Sequence, residues 1–353
     1  MTKAITQLSF ESISVDNAVH SVGLDIAKSS FSLHGLDAQG RTVLKKELKR
    51  HQMLGFFKEL EPARIGLEAC ASAHHWAREI AKLGHEVRLI SPLRVKAFVV
   101  RQKNDAADAF AIARAMREPE MRFVSVKSVA QQSVLMLFKA RDLLVAQRTM
   151  IINALRGHFA EIGIVVAVGA QQAKRLVDLV NKEDAEVPPF MCEALLPLTT
   201  SLGSLEQQIA SLNRSIAQAH KSDERAQRLA EVPGIGVLVS TLLSATVSDP
   251  KAFASGREFA AWAGLVPRQH STGGKPRLGH ISKMGHKDLR RLLVVGAIAA
   301  LARMKHAKNP TALGLWARKL LAKKPFRLVA VALANKMART AWAIMAKGVA
   351  YQA

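Results

Sequence analysis

Acidic residues, cysteine and aromatics are all scarce in this chain. Of 353 residues, 28 are Asp or Glu against 51 Lys or Arg, a net charge of +23. From Ser255 to Ala353 the acids are Glu258 and Asp288 alone. So large a surplus makes a potential that attracts polyanions, and a nucleic acid is the partner it fits; a solubility or ribosome-associated role is the other reading. The cysteines, Cys70 and Cys192, are too few for a disulfide framework or a cysteine-based zinc site and agree with a reducing compartment. Aromatics make up 5% of the chain, so phosphate contact should outweigh base stacking. No apolar run reaches membrane-spanning length and no secretory signal opens the chain, which predicts a soluble, cytoplasmic, nucleoid-associated protein with no membrane partner.

What is present suffices for two or three domains with their own cores, at 49% hydrophobic residues. Residues 1–17 show little pattern and read as a flexible tail. From Val19 the period-two alternation of 20–26 and 30–34 predicts a hairpin, with a third strand over 41–48. Helices over 51–60 and 74–83 then alternate with short strands at 64–67 and 86–90, and Pro92 opens another helix. Three strands followed by alternating helix and strand describe an α/β domain with a mixed sheet, over 18–122.

Four carboxylates of this domain fall where chemistry would use them. Asp25 and Glu68 sit at strand ends, while Asp105 and Asp108, three apart, share one face of a helix over 105–116. Converging carboxylates raise each other's pKa values but can hold two magnesium ions, which suits phosphodiester cleavage. The alternative is that Asp105 caps its helix and the others are surface residues. Cys70, His74 and His75 could be imagined as a zinc cluster, but a buried thiol beside histidines lining a helix edge is the preferred reading.

Beyond Pro119 the period changes. A long helix over 126–159 carries Leu137, Leu144 and Ile151 at sevenfold spacing, and Leu198, Leu202, Leu205, Ile209, Leu212 and Ile216 alternate four and three. This predicts a coiled-coil arm over 123–228, either an intrachain helical hairpin or a dimerisation element. Over 229–353 the chain is mostly helical. Val232-Pro233-Gly234-Ile235-Gly236 resembles a helix-hairpin-helix turn, in which Gly234 and Gly236 free backbone N–H groups for a phosphate; an ordinary turn between packed helices is the alternative. Helix is expected to continue over 247–264.

The stretch from Gly264 to His286 lacks acids and is broken by Pro267, Gly273, Gly274, Pro276 and Gly279, which predicts an ordered loop or short hairpin between helices. Arg268, Lys275, Arg277 and Lys283 in it could hold phosphates. Arg290 and Arg291, with Arg318, Lys319, Lys323, Lys324 and Arg327, form basic edges on apolar helices, a nucleic-acid track in the absence of counter-charge.

The runs VGLDIAKSSFSLHGLD, IGLEACASAHHW, SPLRVKAFV and KNDAADAFAIAR, in that order, resemble the N-terminal domain of DEDD-type insertion-sequence transposases, whose fold is similar to RuvC junction resolvases and ribonuclease H. VPGIG, REFAAWAGLVPRQHSTGGK and ISKMGHKDLRRLL resemble the C-terminal domain of that family. The resemblance makes Asp25, Glu68, Asp105 and Asp108 the catalytic, metal-binding set. Where many relatives follow the Glu with Ala-Thr-Gly, this chain has Ala69-Cys70-Ala71. It further implies a serine nucleophile in the basic loop, assigned to Ser271, with Thr272 the alternative because an ungapped match would place it there. Partners implied are DNA, as element ends or junction and a target, a guide noncoding RNA, and further copies of the chain in a homodimer or homotetramer.

The reading is therefore a transposase that cuts and rejoins DNA with a serine and magnesium-bound carboxylates. The alternatives are a RuvC-like nuclease using metal-activated water, or a non-enzymatic architectural DNA-binding protein.

Overall fold

The computed structural model describes residues 18–99, 105–182 and 186–352, so the expected tail over 1–17 lies outside the described residues. The chain divides into two compact units between Ser128 and Val129.

The first unit is built on a six-stranded sheet. β1 (Ser21–Ile26), β2 (Ser30–Leu36) and β3 (Thr42–Lys49) form an antiparallel meander, followed by α1 (Met53–Glu59), β4 (Arg64–Glu68), α2 (Ala73–Ala81) and β5 (Glu86–Ile90). A short α3 (Pro92–Val95), then α4 (Asp105–Ala115) and β6 (Phe123–Val124), complete it. The strand order is β3-β2-β1-β4-β5-β6, with β1, β4 and β5 mutually parallel and the others antiparallel. This is the expected mixed α/β sheet of a RuvC-like domain. Phe31, Ile65, Leu67, Leu89 and the α1 and α2 residues Phe57, Trp76 and Ile80 fill one face of the sheet. Ile90 and Val95 pack with Ala111, Ile112 and Ala115 of α4 in a smaller core. Sequence reasoning did not anticipate β6, a two-residue strand too short to show a period.

The second unit is helical apart from one two-stranded ribbon. α5 (Val129–Ala160), α6 (Ala170–Asn181) and α7 (Pro189–Lys221) come first. α5 and α7 run antiparallel: Arg141 near the start of α5 bonds Asn213 near the end of α7, while Ile152, Leu155 and Phe159 pack with Cys192, Leu195 and Leu202. The heptad seam is the line of contact, with Leu202, Ile209 and Ile216 buried. α6 packs onto this pair and was missing from the sequence reading, although Ala173, Leu176 and Val180 give it a clear apolar face.

α8 (Glu224–Ala230), α9 (Val237–Thr246), α10 (Gly256–Trp262), β7 (Pro267–Gln269), β8 (Leu278–Ile281), α11 (Lys287–His306), α12 (Ala312–Leu321) and α13 (Phe326–Lys347) follow. The helix expected over 247–264 is broken: Pro250 forces Asp249 into extended backbone, and α10 restarts only at Gly256. Ser255 caps that restart by accepting from the Glu258 N–H, and the Glu258 carboxylate accepts from Ala254 N–H. α13 is long and apolar enough to cross a membrane, yet it lies at the centre of this unit's core, with Leu333, Met337 and Ala341 fully covered.

Candidate active site and nucleic-acid interface

The carboxylate site arises from one motif used twice. Val22-Gly23-Leu24-Asp25 ends β1 and Ile65-Gly66-Leu67-Glu68 ends β4, on adjacent parallel strands with Gly23 level with Gly66 and Leu24 with Leu67. Alternation sends Leu24 and Leu67 into the core and puts Gly23, Asp25, Gly66 and Glu68 on the opposite face. α4 covers that face. A Cβ on Gly23 would stand 2.1 Å from the Ala109 carbonyl oxygen, and one on Gly66 would stand 2.4 Å from the Met116 sulfur. The glycines thus let the helix lie directly on the sheet, and its first turn, bearing Asp105 and Asp108, comes down over the strand ends. Sequence reasoning named the four acids and overlooked these two glycines, although the repeated Gly-Leu-acid was a readable signal.

The four charges feel one another. Asp25, half-buried, has its carboxyl pushed up to about 6, first by burial, then by Asp108, Asp105 and Glu68, against a lowering by the Ile26 backbone N–H. Among the described residues no three Asp, Glu, His or Cys groups stand close enough to ligate one ion together. The donor set still fits a hard divalent cation: four carboxylates, from two strand ends and one helix turn, with the repulsion among them that a cation relieves. Cys70, half-buried beside them, has its thiol raised by burial and by Glu68. His74 accepts a hydrogen bond from Lys127 N–H and is depressed to about 4 by burial and by Lys127 and Arg78, and His75 packs on Trp76, so these histidines serve the structure.

In the second unit the basic loop is a hairpin. Gly273 and Gly274 at its tip have φ of 55° and 75°, the paired left-handed conformation of a two-residue turn, closed by Lys275 N–H donating to the Thr272 carbonyl. β7 and β8 pair below it. Ser271 Oγ accepts two hydrogen bonds, from the Arg277 backbone N–H at 3.2 Å and from Gln269 Nε2 at 2.9 Å. Ser282 Oγ accepts from Met284 N–H.

The cations divide by what they touch. Lys275 and Arg277 are exposed, with no ion pair among the described residues, and so is Lys283, which holds a left-handed backbone at the foot of β8. Arg268 is exposed and donates to the Ser282 carbonyl across the ribbon. Arg290 donates to the carbonyls of Ala263 and Met284, clamping the ribbon's base, and Arg291 pairs with Asp142 of α5. Both are therefore engaged within the protein. Gly234 packs against Met337 and the Gly296 carbonyl, while Gly236 precedes α9 with open space around it.

A mixed sheet whose parallel strands are covered by α4 is the architecture of a RuvC-like DEDD domain, and residues 22–164 match the DEDD transposase family model. Residues 226–312 match the model described as the IS116/IS110/IS902 transposase family. A Pseudomonas aeruginosa protein described as "Probable family 20 transposase" is 45% identical over 94% of this chain and 98% of its own length. The transposase of insertion sequence element IS1328 from Yersinia enterocolitica is 39% identical over 94% and 98%. A pilin gene-inverting protein of Moraxella bovis is 24% identical over 64% and 62%. The chain belongs to the IS116/IS110/IS902 transposase family: it is an enzyme of DNA strand cleavage and transfer, with a DEDD domain that uses divalent metal.

Proposed function

We propose that this transposase is a recombinase that attacks DNA with Ser271, uses two magnesium ions held by Asp25, Glu68, Asp105 and Asp108, is directed by a noncoding RNA and acts as a homodimer or homotetramer. The observation that carries the serine assignment is the pair of donors on Ser271 Oγ. Both bonds go to the oxygen, which favours the alkoxide that forms as the hydroxyl proton leaves. Thr272 has no such support; its backbone closes the turn, and its hydroxyl makes no hydrogen bond among the described residues.

In the reaction Ser271 Oγ loses its proton, bonds to the phosphorus of the scissile phosphodiester and displaces a sugar oxygen, which leaves as a hydroxyl. Attack of a hydroxyl from another strand on that phosphoserine link restores the serine and joins the strands. Magnesium held by Asp25, Glu68, Asp105 and Asp108 would supply positive charge to a scissile phosphate. Lys275, Arg277 and Lys283 hold neighbouring phosphates. Inversion by the Moraxella relative, as its name states, also needs strands rejoined and not merely cut. The guide RNA rests on family resemblance and on the chain's cationic excess.

Oligomerisation is supported by α5. Beside the buried seam, Val129, Met136, Leu143 and Met150 recur every seven residues and are 60–69% exposed. A second apolar stripe at coiled-coil spacing suits a helix of another copy.

A competing mechanism, hydrolysis by metal-activated water, is favoured by one fact: the four carboxylates are complete within the first unit. A denaturing-gel assay on labelled element-junction DNA with magnesium and flanking noncoding RNA separates the two. An adduct lost in Ser271→Ala and kept in Thr272→Ala supports the serine; magnesium-dependent cleavage without any adduct establishes hydrolysis.

A further inference from the structure

A cleft of about 1390 Å³ opens between β8, the start of α10, α12 and α13. It is larger than the roughly 300–1,000 Å³ of a small-molecule pocket, which suits a stretch of polymer. Its lining contains no acid. Arg257, Lys283, Lys336 and Arg339 border it, all exposed and none with an ion-pair partner among the described residues. Two of the chain's four tryptophans line it as well, each half-buried. Trp342 spends its indole N–H on the Pro250 carbonyl, so what it adds to the cleft is apolar, and Trp316 carries the Lys336 ammonium 4.9 Å from its ring centre. Leu328, Val331 and Ala332 extend the apolar wall along α13.

A wall of indole and aliphatic carbon rimmed by unpaired cations matches a strand whose bases are free to stack and whose phosphates stay at the edge. A duplex keeps its base faces covered and has no use for that wall. We infer that this cleft binds an unpaired stretch of nucleic acid, with bases against Trp342 and the α13 wall and phosphates on Arg257, Lys336 and Arg339. The inference rests on the proposed recombinase reading, because Gly279, His280 and Ile281 of the cleft belong to the ribbon that carries Ser271. A strand held here enters or leaves the ribbon unpaired. Low overall aromatic content hid the site, since two tryptophans far apart in sequence meet only in the fold.

The test uses the full chain and 5-bromouracil-substituted single strands, one DNA and one RNA, photocrosslinked and mapped by mass spectrometry, together with equilibrium binding of the same strands and their duplexes. Crosslinks should map to peptides holding Trp316 or Trp342, the DNA and RNA arms showing which strand is held. The double variant K336E/R339E, altered at exposed positions that leave the core intact, should bind single strands at least about tenfold more weakly, with a smaller loss for duplex. Crosslinks confined to peptides outside the cleft, or an equal loss when the same charge change is made at Lys174 and Arg175, exposed on α6 outside it, would overturn the inference. Failure here is separable from failure of the serine mechanism: an adduct on Ser271 without cleft crosslinks sinks only the cleft, and cleft crosslinks without any adduct sink only the serine.

Discussion

Gly23 and Ala109 meet backbone to backbone, so closely that a methyl group on Gly23 would stand 2.1 Å from the Ala109 carbonyl oxygen and 2.5 Å from Ala113 N. The distance from sheet to α4, and with it the height of Asp105 and Asp108 above Asp25, is set by main chain at this crossing.

Gly23→Ala should therefore cost about 3 kcal/mol of stability, because neither backbone can yield to the added carbon. Thermal unfolding measures this. Gly55→Ala, at a helical glycine with open space around it, should be neutral or slightly stabilising.

Asp25 titrates near 6 when folded, against 3.8 for the free side chain. The folded state then binds more protons between these values, so stability falls as pH rises from about 4 to 6. Asp25→Asn should stabilise the magnesium-free protein at pH 7 by about 1 kcal/mol, after allowance for solvent access, and do nothing below pH 4. Magnesium at pH 7 should raise the melting temperature of the wild type and leave that of Asp25→Asn nearly unchanged. Differential scanning calorimetry reads both.

Lys275 is exposed with no ion pair among the described residues, whereas Arg291 already holds Asp142. Lys275→Ala should lower the slope of log affinity against log salt by about 1, the signature of one lost phosphate contact. Arg291→Ala should change that slope less and instead loosen α11 from α5, as hydrogen exchange would show.

Met136→Glu with Leu143→Glu breaks the exposed stripe of α5 without touching its buried seam. The variant should sediment as a smaller species while keeping its helical circular dichroism; unchanged mass would place the oligomer interface elsewhere.

The first unit was legible because its signals are local: period-two strands, and an acid at the end of two of them. What stayed hidden is relational. Nothing in Gly23 or Gly66 alone says that a helix forty or more residues later lies on them. The heptads of α5 and α7 were readable, yet the stripe at Val129, Met136, Leu143 and Met150 was not separable from the seam beside it until burial distinguished them. Gly273-Gly274 announced a tight turn, and the ribbon followed from it. Arg290 and Arg291 read as phosphate ligands because the chain shows charge without showing the carbonyls of Ala263 and Met284 or the carboxylate of Asp142 that receive them.

The two acids after Ser255 are both committed inside the protein, Glu258 to the start of α10 and Asp288 to Lys139. Among the described residues no uncommitted side-chain carboxylate is left on that stretch to compete with a polyanion. That stretch therefore meets a polyanion with positive charge and almost no internal competitor, and its hold on nucleic acid should weaken steeply as salt rises.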